Sequence, residues 1–176
     1  MLDLTNYEIQ VRDNLHFFYV NDRYVRELQK IDPNICDNKG NRRAHIGILF
    51  EIQGILYLAP LTSTGKTYLE NNKKHKRIVY PLENGELGYI RMGNIIPVPR
   101  SELTPIIISE INDDLYKNLL LDQYNFLSKQ GVSEDIRIET KKLYNKRYNN
   151  DNYYLADIMC DFKKLEDKCN MWDTNR

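Results

Sequence analysis

The sequence predicts an α+β fold, with a compact antiparallel sheet or small barrel in its first half and helices packed on it from the second. Three observations carry this expectation. Five or six short apolar runs, cut by Gly, Pro, Asn and Asp, fill the chain as far as Thr104. Beyond Thr104 the apolar spacing becomes helical. At 176 residues and 41% hydrophobic, the chain can bury one core but hardly two. The expected organisation is therefore a single domain over 1–176. Its β-rich core, with one short helix, spans roughly 14–104, and a helical extension spans 105–176.

"HFFYV" (His16 to Val20) is an aromatic and β-branched run and opens the sheet. In "NDRYVRELQKIDP", Asn21 can cap a short helix that buries Tyr24, Leu28 and Ile31 before Pro33 ends it. "DNKGNRR" (Asp37 to Arg43) is turn-forming and basic. "AHIGILFEIQGILYLAPL" holds two apolar runs separated by Gln53 and Gly54, the strongest hairpin signal in the chain. "RIVYPL", "LGYIRM" and "NIIPVP" continue as short strands around the turn "ENGE". In "SEINDDLYKNLLLDQYNFLSKQG", Ile111, Leu115, Leu119 and Phe126 fall near helical spacing. "SEDIRIETKKLYNKRYNN" predicts a further helix. So does "NYYLADIMCDFKKLEDKC", with Leu155, Ile158, Phe162, Leu165 and Cys169 on one apolar face.

Charge and composition narrow the function classes. Charged residues are 28% of the chain and cancel to zero net charge, so any attraction for nucleic acid must come from local patches. No stretch approaches the roughly 20 apolar residues of a membrane helix. "MLDLTNYEIQ" lacks the basic-then-apolar pattern of a signal peptide, so a cytoplasmic protein is expected. Cys36, Cys160 and Cys169 are odd in number and widely spaced, and His16, His45 and His75 have no ligand spacing. Neither a disulfide framework, a metal centre nor a cofactor is indicated.

The stretch with chemistry in it is "YLAPLTSTGKTYLENNKKHKR", Tyr57 to Arg77. Its "STGKT" ends like a phosphate-binding P-loop. That loop needs a glycine five residues before Gly65, where this chain has Pro60, which offers no N–H to a phosphate. No βαβ alternation surrounds it, which excludes the ATPase reading.

A different likeness fits. "RRAHIGILFEIQGILYLAPLTSTGK" resembles the signature of the ToxN/AbiQ family of endoribonuclease toxins from type III toxin–antitoxin systems. The matching elements are Arg43, Ile46-Gly47-Ile48, Glu51-Ile52-Gln53-Gly54, Tyr57, Ala59-Pro60-Leu61-Thr62-Ser63 and Lys66. "GYIRMGNIIPVP" resembles a later family segment, and the likeness covers most of residues 42 to 99. It departs in three places: Arg43 stands where the family has a lysine, Lys66 is one residue further from Ser63, and Lys39 stands where a tyrosine is expected. The resemblance implies an SH3-like antiparallel barrel of the Kid/MazF kind and metal-independent RNA cleavage. It also implies a small repeated pseudoknot RNA antitoxin that assembles with the toxin into a closed ring. Cellular or phage RNA would be the substrate; neither DNA nor membrane is implied as a partner.

The chemistry such a site requires can be set against the residues. Metal-free cleavage proceeds by attack of the 2′-OH on its neighbouring phosphate, leaving a 2′,3′-cyclic phosphate and a 5′-OH. It needs a proton acceptor, donors or cations for the anionic transition state, and a proton for the departing oxygen. Thr62 and Ser63 leave a strand and enter a turn, where hydroxyls can converge on a phosphate, and Arg43 and Lys66 supply charge. These four are the expected catalytic residues. The base is open among Lys66, Ser63 and His45. Lys39, Arg42, His45, Tyr68, Lys73, Lys74 and His75 are the expected RNA contacts, with "KKHKR" taken as a loop that tracks the backbone and Tyr68 as a stacking face. "KKLYNKRY" (Lys141 to Tyr148) interleaves charge and aromatics and serves equally well as an RNA grip or as a solvated helix face. Two other classes fit the same barrel: a non-catalytic RNA-binding module and a type II toxin with a protein antitoxin.

Overall fold

The computed structural model describes residues 15–40, 42–63 and 66–174, and within these the side chains of Ile48, Lys66, Thr67, Tyr68, Asp173 and Thr174 lie outside the description. Seven strands form one sheet: β1 (His16–Val20), β2 (His45–Ile52), β3 (Ile55–Thr62), β4 (Val79–Pro81), β5 (Tyr89–Arg91), β6 (Ile96–Val98) and β7 (Leu103–Pro105). The helices are α1 (Asp22–Gln29), α2 (Lys66–Asn71), α3 (Lys73–Lys76), α4 (Asp114–Leu127), α5 (Val132–Tyr148) and α6 (Phe162–Thr174).

The β2–β3 hairpin is the centre of the sheet. It turns on Gln53 and Gly54, both with positive φ (50° and 82°), as a two-residue turn matching the right-handed twist of its strands requires. β3 has β2 along one edge; along the other it pairs with β6 at Leu56–Leu58 and with β5 at Leu61–Thr62. β1 lies outside β2, and β7 outside β1. The hydrogen-bonded order β4-β5-β3-β2-β1-β7, with β6 on β3, is an open path in which β4 and β7 do not pair. The sheet therefore curls without closing, which corrects the expectation of a closed barrel. β7 is also additional to the strands read from sequence. Its three residues show no period of their own, and its pairing with Phe18–Val20 of β1 defines it.

Inside the hairpin the pairing changes register. Ile46 faces Ala59 but Phe50 faces Tyr57, so four steps along β2 oppose two along β3. Such an irregularity bends a strand and increases its twist. It also decides which residues meet at the open end. Continued unshifted from the turn, the register would set Arg43 opposite position 64; with the shift, Arg43 falls opposite Thr62.

α1 follows the expected capping: the Asn21 side chain accepts from the Arg23 N–H, and Tyr24 and Leu28 are buried. Ile31 lies past the helix and is half-buried. Three expectations about the helices need correction. On α4 the buried face is Leu120, Gln123 and Leu127, while Leu115 is 84% exposed and Ile111 precedes the helix. The run from Asn152 forms turns as far as Cys160, and α6 begins only at Phe162, where Asp161 accepts the Lys164 N–H. "KKHKR" is a turn of helix, α3, and not an extended loop.

α5 and α6 are tied to the sheet through one carboxylate. Tyr57 of β3 and Tyr144 of α5 both donate their hydroxyls to Glu166 Oε1 of α6, the latter at 2.6 Å, within a cluster of rings that includes Phe50 and Phe162. Two buried phenols are satisfied by one acceptor, so the three elements dock together. Cys36, Cys160 and Cys169 are not joined in disulfides, and Cys160 and Cys169 are buried. Among the described residues no helix is long and apolar enough to cross a membrane, and no group of three or more His, Cys, Asp or Glu side chains is placed to hold a metal ion.

Candidate active site

Antiparallel pairing brings the start of β2 beside the end of β3. The Leu61 N–H donates to the Ala44 carbonyl at 3.0 Å, and one residue earlier Arg43 reaches across. Its Nη1 donates to the Leu61 carbonyl at 2.6 Å and its Nε to the Asp37 carbonyl. Two backbone acceptors thus aim the guanidinium at the point where Thr62 ends the strand and Ser63, exposed, leaves it. A pre-oriented planar cation beside two hydroxyls is what a phosphodiester needs.

The loop carrying Arg43 is anchored from below. Asn38, buried, accepts the Arg42 and Arg43 N–H groups on its carbonyl at 3.2 and 3.1 Å and donates its amide to the Val20 carbonyl at 2.9 Å. The turn above it has positive φ at Lys39 and Gly40 and projects Lys39 and Arg42 to solvent.

These groups line one groove of about 360 Å³: Lys39, Arg42 and Arg43 on one side, Thr62 and Ser63 at the base. The facing wall comes from the segment around Gly88 and from α4, whose Tyr116 and Gln123 reach into it. Gly88 lies against the site strand. At φ +94°, a Cβ there would sit 2.6 Å from the Thr62 carbonyl oxygen. Only glycine admits both that φ and that approach.

His45 does not take part. It is 2% exposed, with Nδ1 donating to the Arg43 carbonyl at 3.1 Å, and burial lowers its pKa to about 3. It faces the core from a regular strand position, which corrects both its expected RNA contact and its candidacy as acid or base. Lys73 and Lys74 are exposed on α3 and His75 is half-buried, its pKa lowered by burial and then by Arg91; none of the three lines the groove. Lys74 instead pairs with Asp157 at 3.0 Å. The expectations for Lys66 and Tyr68 fall on side chains outside the described residues.

The end of "KKHKR" meets "KKLYNKRY" elsewhere. Arg77 donates to the Tyr154 hydroxyl at 2.9 Å and, with Lys142 and Lys146 of α5 and with Tyr153, lines a second groove of about 280 Å³. Arg77 also lies 5.7 Å from the centre of the Tyr154 ring.

Sequence reasoning missed the α4 wall. A signal was there: Gln123 interrupts the spacing Leu120, Leu127 on what proves to be the buried face. A polar residue inside an apolar stripe asks for a partner or a role.

The same arrangement of sheet and helices occurs in known proteins. The sequence profile of the family described as Toxin ToxN, type III toxin-antitoxin system, matches residues 16–170. Endoribonuclease AbiQ of Lactococcus lactis subsp. lactis is 31% identical over 176 residues, which cover 94% of this chain and 93% of that protein. Endoribonuclease ToxN of Bacillus thuringiensis subsp. kurstaki is 29% identical over 171 residues, covering 90% and 84%. Among solved structures, a type III system toxin described as selectively inhibited by a non-coding RNA pseudoknot superposes with a TM-score of 0.80 at 29% identity, covering 92% of this chain and 99% of that one. A profile spanning nearly the whole described fold, and relatives matched over most of their length, place this chain in the ToxN family of toxins from type III toxin–antitoxin systems.

Proposed function

We propose that this chain is a single-domain, cytoplasmic endoribonuclease toxin that cuts RNA without metal at the groove between Arg43 and Ser63, and that a repeated pseudoknot RNA inhibits it in a closed ring assembly. The observation that carries the reading is the convergence of Arg43 with the Thr62–Ser63 strand end, in a chain of this family. The curled sheet, with β3 shared among β2, β5 and β6, supports an SH3-like classification of the Kid/MazF kind.

In this mechanism the scissile phosphate lies against Arg43, with the Thr62 and Ser63 hydroxyls donating to its oxygens. The 2′-OH gives up its proton as its oxygen bonds to phosphorus. The P–O5′ bond breaks, and the departing oxygen takes a proton from water or from the group that accepted the 2′-OH proton, becoming a 5′-OH with no net change in protons. Arg43 stays charged throughout and stabilises the pentavalent anion. With His45 buried, the proton acceptor is assigned to Lys66 or Ser63. Lys39 and Arg42 bind the flanking phosphates, and the Arg77–Lys142–Lys146 groove, with Lys73 and Lys74 beside it in the chain, takes more distant RNA, substrate or antitoxin.

The test is to incubate the purified, RNA-free chain with mixed RNA in excess EDTA, beside Ser63→Ala and Arg43→Ala. Cyclic phosphate and 5′-OH ends from the wild type are expected, with either variant slower by about 10²–10³ as for loss of one transition-state donor. RNA binding without cleavage by folded wild type would establish the non-catalytic alternative.

A further inference from the structure

We infer that Gln123, backed by Tyr116, reads the base beside the scissile phosphate and admits one that presents an exocyclic amino group. This rests on the nuclease reading above and specifies its substrate.

Gln123 is 4% exposed, and its neighbours on the buried face of α4 are Leu120 and Leu127. A primary amide in such a place loses its water at a cost that hydrogen bonds must offset. One end is satisfied: Nε2 donates to the Leu87 carbonyl at 2.7 Å. Because a carbonyl only accepts, this bond also settles which end of the amide is which, with nitrogen toward Leu87 and oxygen away from it. The other end is not satisfied. Oε1 is buried and has no hydrogen-bond partner among the described residues. The same side chain lines the groove that holds Arg43, Thr62 and Ser63. An oriented acceptor, rigid on a helix and lacking a donor, beside the place assigned to the phosphate, is completed by a donor on the RNA.

The donor's chemistry follows from what an acceptor rejects. Adenine, cytosine and guanine each carry an amino group that can donate to Oε1; uracil carries none, and its single donor, N3–H, lies between O2 and O4, so an Oε1 that accepts it also meets the lone pairs of two carbonyls and is bound more weakly. Reading a base edge in this way requires it to be unstacked, as in single-stranded RNA. Tyr116 supplies the complementary surface. It stands seven residues before Gln123, two helical turns away on the same side of α4, and lines the same groove. Its ring is half-buried and its phenol neutral, since burial and then the adjacent Tyr19 hydroxyl raise its pKa well above the usual value. A neutral aromatic face stacks on any base, so Tyr116 contributes affinity and Gln123 the choice. The groove's volume of about 360 Å³ lies in the lower part of the range for small-ligand pockets, roughly 300–1,000 Å³, which suits one base with its phosphate.

The experiment treats a random-sequence single-stranded RNA pool with the full chain and with Gln123→Met, which keeps the side chain's length and removes both polar atoms; the new ends are then sequenced. In a second arm, wild-type protein cuts short RNAs carrying the preferred base or its amine-free analogue, purine for adenine or inosine for guanine. The expected result is depletion of uracil at one position beside the wild-type cut, loss of that depletion in Gln123→Met with other positions unaltered, and roughly tenfold slower cutting of the analogue. An identical base profile in Gln123→Met overturns the inference, as does an analogue cut at its parent's rate. The second arm decides should Gln123→Met fail to fold. Absence of all cleavage by the wild type overturns the nuclease reading and this inference with it, whereas cleavage with an unaltered profile overturns this inference alone.

Discussion

Replacing Gly88 with alanine separates backbone strain from site geometry. The new Cβ would lie 2.6 Å from the Thr62 carbonyl oxygen, some 0.7 Å inside even a close C–H···O contact of about 3.3 Å. The obstacle is backbone, so no side chain can swing aside. Alanine at φ +94° also carries conformational strain, on the order of 1–3 kcal/mol. Gly54, at φ +82°, has nothing within 4 Å of its imagined Cβ, so Gly54→Ala suffers the strain without the contact. Thermal melts of the two variants should therefore differ. At roughly 2–4 °C per kcal/mol for a chain of this size, Gly54→Ala should lose about 2–12 °C and Gly88→Ala at least a further 2–4 °C. Cleavage should divide them more sharply. A displacement of Thr62 and Ser63 by about 1 Å costs on the order of 10²-fold in rate, while the hairpin tip at Gly54 leaves them in place. Equal melting temperatures and equal cleavage in the two variants would refute the idea that Gly88 holds the end of β3 at its working position.

Other parts of the molecule are testable in the same way. His45 has a folded pKa of about 3 against 6.5 when unfolded, so below pH 6.5 the unfolded chain binds the extra proton and stability falls with pH; the loss through this group is about 2 kcal/mol between pH 6.5 and 5. Urea melts should find that slope reduced in His45→Asn, and an unchanged slope would contradict it. Glu166→Ala leaves the Tyr57 and Tyr144 hydroxyls without their acceptor and should cost roughly 2–6 kcal/mol, counting about 1–3 for each buried donor; a loss under 1 kcal/mol in denaturant melts would show that Glu166 does not couple β3, α5 and α6. Arg77→Ala with Lys146→Ala should weaken single-stranded RNA binding and lower the slope of log K against log salt by about 0.7 for each phosphate no longer neutralised, a change absent if the second groove does not touch RNA.

Much of the sheet was legible because its signals are local. Gln53-Gly54 between two apolar runs specifies a two-residue turn, and Asn21 ahead of a helical stripe specifies a cap, without reference to anything distant. The α4 face was misread because its leucines point in several directions: Leu115, Leu119, Leu120 and Leu121 leave the burial side to be chosen by what packs against it. β7 was missed for the same kind of reason, since three residues carry no period and partner strand β1 alone makes them a strand.

Order along the chain is enough to specify the family and the local elements that carry the site: the hairpin, the basic turn before it, and the hydroxyl pair after it. Each is a property of neighbouring residues, written in turn chemistry and side-chain alternation. Which of the basic and polar candidates share a place is a matter of packing. The register shift between Ile46 and Phe50 set Arg43 opposite Thr62, burial took His45 out of the chemistry, and α4 brought Tyr116 and Gln123 against a strand end some 60 residues earlier. Those outcomes depend on strand registration and on which helix face meets the sheet, which the whole core settles through close packing and which no short stretch of sequence encodes.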